Sequence, residues 1–162
     1  MPRDLPYRPN VGAVLFNRDG LVFIGRRAPR GHTDQGVGAW QFPQGGLDKG
    51  EDPRVGVFRE LAEEIGTDRA QIIAEVPGWL TYDLPPELVG AAWKGKWRGQ
   101  TQKWFALRFL GEDADIRLDA ETPPEFDAWA WVRLAETPAL AVGFKRPIYE
   151  RVAQEFSPLA AQ

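Results

Sequence analysis

Three glutamates, Glu60, Glu63 and Glu64, stand at i, i+3 and i+4 in a stretch whose apolar residues recur with helical spacing. That spacing puts all three on one helix face. Carboxylates so close together repel one another. Arg59, four residues before Glu63, relieves part of the repulsion. A hard divalent cation, Mg²⁺ or Mn²⁺, would relieve more, because both prefer oxygen ligands. Taken alone, three acids on a helix face usually mark a solvated surface. The rest of the inventory narrows the chemistry. The chain has no Cys, one His (His32) and one Ser (Ser157). A disulfide framework and a His-rich or Cys-based zinc site are therefore excluded, and a Ser–His or Cys–His nucleophilic machine is close to excluded. Any catalysis must use carboxylates, amines or phenols.

The elements that must position these glutamates follow from periodicity. From Pro53 to about Ile65, Phe58, Leu61 and Ile65 recur at i, i+3 and i+7, which predicts a helix with one buried stripe opposite the acids. Pro53 suits the first turn, Glu51 and Asp52 favour the positive end of the helix dipole, and Gly66 stops the helix. Ahead of it, Val11–Phe16 and Leu21–Gly25 read as strands joined by a turn at Asp19-Gly20. Residues 28–39 read as a loop, Trp40–Phe42 as a short strand, and Pro43-Gln44-Gly45-Gly46 as a breaker. Further strands are expected at Ile72–Val76, Trp79–Tyr82, Gln102–Leu110 and Ala128–Val132. A last helix is expected from Pro147, with Ile148, Val152 and Phe156 inward. The 162 residues show no repeat and no low-complexity linker, so we expect one domain spanning 1–162. Its fold class is α/β, a mixed sheet flanked by helices. The N-terminus lacks an export signal and no apolar run could span a bilayer, so we expect a cytoplasmic protein with no membrane or disulfide partner.

Other residues stand at fixed distances from the acidic triplet. Gly45-Gly46 precedes the helix, Glu51 follows Gly45 by six positions, Arg59 follows Glu51 by eight, and Gly66 closes the unit. Gly45, Glu51, Arg59, Glu60, Glu63, Glu64 and Gly66 match all seven fixed positions of the Nudix box, with Leu61 at an apolar position. Thr67 departs mildly from the usual aliphatic residue at the helix exit. By chance seven such matches would occur at about 10⁻⁸ per start position. The chain thus resembles the Nudix hydrolases. The resemblance implies a Nudix fold, a mixed β-sheet sandwiched between helices. It also implies metal-dependent attack of water on a phosphorus of a nucleotide polyphosphate chain. Glu60, Glu63 and Glu64 would be the metal and base set, the Gly45 carbonyl an added ligand, and Mg²⁺ or Mn²⁺ the cofactor. Which glutamate is the base varies within the family.

The likeness continues along the chain. Tyr7–Gly12, Trp40–Gly46, Gln102–Phe105, Pro124-Glu125-Phe126 with Trp129 and Trp131, and Phe144-Lys145-Arg146 resemble the RNA 5′-pyrophosphohydrolases. They resemble the asymmetric dinucleoside tetraphosphate hydrolases equally well. Trp79–Pro86 and the basic, Trp-rich Trp93–Lys103 lean toward the second group. Glu125 matches the family's remote glutamate, a further metal ligand or water-orienting base. Arg8 and Arg27 could clamp phosphates. Tyr82 and Phe144 could stack on a base, with Lys103 and Lys145 on phosphate, and Gln41 falls within the shared motif. Each has a plainer reading: surface charge for the arginines and Glu125, core packing for Phe144.

Two substrates stand open: the triphosphate end of RNA, giving a 5′-monophosphate, or a dinucleoside polyphosphate such as diadenosine tetraphosphate, giving ATP plus AMP. The alternative from another class is a non-catalytic nucleotide-binding Nudix-like domain, and such domains typically have lost box carboxylates. Net charge is −3. All of it resides in residues 48–64, which hold six acids and three bases. Residues 94–108 carry five bases and no acid, and residues 112–127 carry seven acids and one base. The acidity therefore marks a carboxylate cluster with basic segments beside it. It excludes only metal-free wrapping of long nucleic acid.

Overall fold

The computed structural model describes residues 5–29, 38–89 and 95–161. His32, much of the loop expected at 28–39, and the start of the basic segment at Trp93 and Lys94 lie outside the described residues. In chain order the strands are β1 (Tyr7–Phe16), β2 (Val22–Arg27), β3 (Trp40–Gln41), β4 (Gln44–Gly46), β5 (Ala70–Glu75), β6 (Leu80–Asp83), β7 (Gly99–Phe109) and β8 (Phe126–Val132). The α-helices are α1 (Pro53–Ile65), α2 (Pro86–Val89), α3 (Thr137–Leu140) and α4 (Arg146–Phe156).

The strands form one eight-stranded mixed sheet with its central path β3-β2-β1-β7-β5. β4 pairs with β1, β6 with β7 and β8 with β2. The β1–β7 pair is parallel and runs from Tyr7↔Gly99 to Phe16↔Arg108. The other strand pairs are antiparallel. β1 begins earlier than its apolar run suggests because Tyr7–Asn10 have β7 partners of their own. The expected breaker at 43–46 contains a short strand, since Gln44–Gly46 pair with Gly12, Val11 and Asn10.

Alternation along the strands divides the core between two faces. Val11, Ala13 and Leu15 of β1, with Phe105 and Leu107 of β7, pack against Val57, Leu61 and Ile65 of α1. Val14, Phe16, Trp104 and Ala106 meet Ile148, Tyr149, Val152 and Phe156 of α4. Fully burying one such Leu or Ile contributes about 1.5–3 kcal/mol. The expected α1 stripe is met at Leu61 and Ile65, but its first member is Val57, with Phe58 only half-buried. Trp129 and Trp131, two apart on β8, both pack on Phe23, at ring centroid distances of 5.6 and 6.1 Å. Thr67, the departure at the helix exit, is buried, and its hydroxyl accepts the Arg69 N–H.

Gly12 on β1 has no room for a side chain, because a Cβ there would lie 2.5–2.7 Å from three atoms of the fully buried Trp104 ring. Gly12→Ala should cost about 1–3 kcal/mol, typical of overpacking. Urea titration of the two proteins checks this. A midpoint equal to that of the parent would show that the ring can move aside.

Candidate active site

Helix α1 starts and stops as its sequence requires. The Asp52 side chain caps it by accepting the Arg54 N–H, and Pro53 occupies the first turn. Gly66 ends it in the left-handed conformation at φ 76°, donating to the Ala62 carbonyl. Glu51 thus does not act on the helix dipole in the simple way expected. Its carboxylate takes both Nε and Nη2 of Arg59 at 2.8 Å, and also accepts the Asp48 N–H.

Arg59 uses all five of its N–H donors. Besides the two bonds to Glu51, it donates to the Gly46 carbonyl at 2.9 Å, to Glu60 at 3.0 Å and to Glu63 at 3.2 Å. One guanidinium therefore joins the loop before the helix, strand β4 and two of the three acids. Its hydrogen bonds to Glu51 lead the causes that raise its pKa. The same contact holds the Glu51 carboxyl at about 2, against an ordinary 4.5.

The three glutamates are not a solvated face. Glu60 and Glu64 are 8% and 4% exposed, whereas Glu63 lies half-buried toward Arg59. Burial raises the pKa of both buried acids, and Glu64 is pushed up furthest. The charge of Glu125 adds to that shift, followed by that of Glu60, with which it shares a hydrogen bond. Oε2 of Glu64 is buried with no hydrogen-bond partner among the described residues. Backbone fills the remaining side of this pocket of charge: a Cβ on Gly45 would land on the Glu60 carboxylate.

The donor set suits a hard cation. It consists of buried carboxylate oxygens, one of them unsatisfied, against a glycine backbone. The charges of Glu125 and Glu60 both act on Glu64. Among the described residues no three acids stand close enough to form a ready-made cation cage. Glu63 is the member drawn aside, by its two contacts to Arg59.

The remaining expected residues divide by face. Glu125 immediately precedes β8, its carbonyl accepting the Ala28 N–H and its carboxylate the Gln41 side-chain amide at 3.4 Å. Lys145, only 7% exposed, donates to the other end of Gln41 at 3.4 Å. Gln41 thus links the acid to the ammonium. Arg8 packs onto Gly46, and its charge acts on both Glu60 and Tyr82. The desolvation of its guanidinium lowers its pKa. Arg27, half-buried, ends β2 and exerts its charge on Tyr82 and Tyr149. Tyr82 and Phe144 meet, ring centroids 5.8 Å apart, and the Tyr82 hydroxyl donates to Gln100.

Lys103, expected on phosphate, is held by β5 and the turn that follows it. Its ammonium donates to the carbonyls of Val76 and Gly78 and pairs with Glu75 at 2.9 Å. Alternation along β7 places it on the sheet face opposite Gln100 and Gln102, which lie on the Tyr82 side.

A buried polar network escaped the sequence reading. Gln102 donates to Asn10 at 3.0 Å and to Gln100 at 3.2 Å, and accepts from the Trp104 indole. Tyr149 reaches up from α4, accepting the Phe42 N–H and donating to Gln44. Buried polar groups are costly unless paired. The legible signal was the placement of Gln100 and Gln102 in the inward register of Trp104 and Ala106.

Comparison with known proteins places these features in context. Residues 6–152 match the NUDIX domain family. The chain is 59% identical over 158 residues to an RNA pyrophosphohydrolase of Gluconacetobacter diazotrophicus, covering 95% of this chain and 93% of that one. It is 55% identical to an RNA pyrophosphohydrolase of Acidiphilium cryptum, covering 96% and 93%. Among solved structures, a MutT protein of Methanosarcina mazei superposes with a TM-score of 0.68 at 22% identity, covering 94% of this chain and 96% of that one. An Ap4A hydrolase of C. elegans superposes at 0.63 and 18%, covering 93% and 98%. Both show the shared fold.

The Arg59–Glu51 pair has a pH signature. A carboxyl held at about 2 instead of 4.5 contributes stability that is full above pH 4.5 and lost as the pH falls through 2. Glu51→Gln should therefore melt below the parent at pH 7, with the gap narrowing from pH 4.5 downward. A gap independent of pH would remove the ion pair as its cause.

Proposed function

The chain belongs to the Nudix family, and from that premise we propose that it is an RNA 5′-pyrophosphohydrolase, converting a 5′-triphosphate end to a monophosphate. The observation that carries the reading is the buried Glu60–Glu64 pair, one oxygen unsatisfied, set against the Gly45 backbone beside Arg8. The names of the relatives sharing more than half of their residues with this chain support the RNA end as substrate.

Glu60 and Glu64, with the Gly45 carbonyl, would hold Mg²⁺ or Mn²⁺, and Glu63 and Glu125 would complete the set. When bound, the cation neutralises phosphate oxygens and lowers the pKa of nearby water. The rest falls to the chain. Water attacks phosphorus, the bridging P–O bond breaks, and the water proton passes to a carboxylate among Glu60, Glu64 and Glu125. Arg8 and Arg27 grip phosphate oxygens. Lys145, held by Gln41, adds a charge close to Glu125. Phe144, half-buried and backed by the buried Tyr82 ring, offers a ring face to a base. The chain acts as one catalytic domain in the cytoplasm. Among the described residues no helix is long and apolar enough to cross a membrane.

Diadenosine tetraphosphate is the second substrate to assay, because the Trp79–Pro86 and Trp93–Lys103 segments resemble the hydrolases that split it. Both substrates should be offered side by side with Mg²⁺ or Mn²⁺. Triphosphorylated RNA should yield a monophosphorylated end, and Glu64→Gln should lower the rate by about 10²-fold or more. Undiminished turnover in that variant would remove the box from catalysis. EDTA should abolish turnover and weaken substrate binding, since the acids alone repel phosphate. Unchanged affinity in EDTA would contradict the proposed metal bridge.

A further inference from the structure

Beside the first turn of α1 an open cavity of about 580 Å³ is bordered by Trp79, Trp97, Arg8, Lys49, Leu47 and Pro53. We propose that it is a nucleobase site, receiving the base that lies across the phosphate chain from the Tyr82–Phe144 pair. The proposal rests on the polyphosphate reading above and adds a second station to it.

Volume and lining fit the ligand. Small-molecule sites commonly span about 300–1,000 Å³ and combine apolar walls with a few polar groups. Among the described residues Trp79 is one of the few large apolar side chains left exposed, at 46%. An exposed indole beside a cation is a stacking surface for a flat ring tied to an anion. Asp48 and Glu51 also border the cavity. Both carboxylates are drawn to Arg59, at 3.6 and 2.8 Å, so their charge is answered away from the cavity.

Both indoles are set on pinned backbone. Lys103 holds the turn before Trp79 through the Val76 and Gly78 carbonyls, and Glu75 holds Lys103. Arg98, next to Trp97, bonds Asp83 at 2.8 Å and stacks over the Tyr7 ring at 4.8 Å. Tyr7 donates to the same aspartate. This use of Lys103 explains a cation that does not face the Tyr82 side of the sheet.

The two stations share no aromatic residue: among the described residues that border the cavity, neither Tyr82 nor Phe144 is found. Thr81 pairs with Thr101 and Tyr82 with Gln100 across β6 and β7. Trp79 and Trp97 lie just outside these strands, immediately before β6 and two residues before β7, and border the cavity from there. Arg8 is common to both sides. It borders the cavity and its charge acts on Tyr82 and Glu60. A phosphate chain gripped at Arg8 can therefore present one base to each station. An RNA end supplies the second base as its neighbouring nucleotide, and a dinucleoside polyphosphate supplies it as its far nucleoside.

The test compares one-base with two-base substrates. KM and kcat are measured for a nucleoside triphosphate and a 5′-triphosphorylated dinucleotide, and for ATP and diadenosine tetraphosphate. The parent should favour the two-base member in KM. Trp79→Ala and Trp97→Ala should shrink that preference about tenfold, through KM and not kcat, and Trp97→Phe should restore most of it. Loss in the first pair places a downstream RNA nucleotide in the cavity; loss in the second places the far adenosine there. A preference retained in both Ala variants for both pairs overturns the proposal. If no polyphosphate is hydrolysed, the catalytic reading fails on its own. Equilibrium binding of the triphosphorylated dinucleotide to the parent and to Trp97→Ala then decides the cavity, and equal affinity overturns it.

Discussion

The guanidinium of Arg59 is the interaction on which the site depends. Its donors are shared among a loop carboxylate, a strand carbonyl and two helix acids, so helix α1 and strand β4 are fixed relative to each other by a single planar group. A lysine could not replace it, because an ammonium lacks the fork that grips Glu51 by two parallel bonds. The glycines on the facing strand complete the constraint. With side chains at Gly45 and Gly46, Glu60 and Arg8 could not occupy the places they do. The backbone approach of β4 and the charge pairing of α1 are thus two halves of one arrangement.

Burial explains why this arrangement can act. Glu60 and Glu64 lie on the same helix as Val57, Leu61 and Ile65, and the helix seats them against the sheet instead of in water. Isolated carboxylates would resist that placement by tens of kcal/mol in the idealised limit, and real ones respond by holding protons or finding a cation. The raised pKa of Glu64 is the cost recorded at the site. Support comes from below, where Tyr149 and the Asn10–Gln102–Gln100 chain leave few buried polar groups unpaired.

Much of this was legible in the residues. The spacing of Gly45, Glu51, Arg59 and the three glutamates marks the helix, its ends and the acids. The separate fates of those acids were not legible. Helical spacing sets a face but not its neighbours, so burial of Glu60 and Glu64 and the capture of Glu63 by Arg59 needed the tertiary structure. Lys103 shows the same limit: its motif named the residue, but its contacts with Glu75 and the Val76 carbonyl needed the tertiary structure. The burial of Gln100 and Gln102 was not legible, because polar residues in a strand ordinarily read as its solvent face. Their register with Trp104 was the contrary sign.

The parallel pairing of β1 with β7 sets the order in which the molecule can assemble. Asn10 and its partner Gln102 are 92 residues apart in the chain. Helix α1 is local and can form as soon as it is made, but the sheet it packs on is incomplete until β7 arrives. Until then β1 lacks its parallel neighbour and offers unpaired N–H and C=O groups along one edge, the kind of edge that recruits other chains. Closing so long a loop costs entropy before any contact repays it, and such topologies fold slowly. The carboxylate cluster, which the sequence specifies within twenty residues, is therefore among the last features to acquire its surroundings during synthesis.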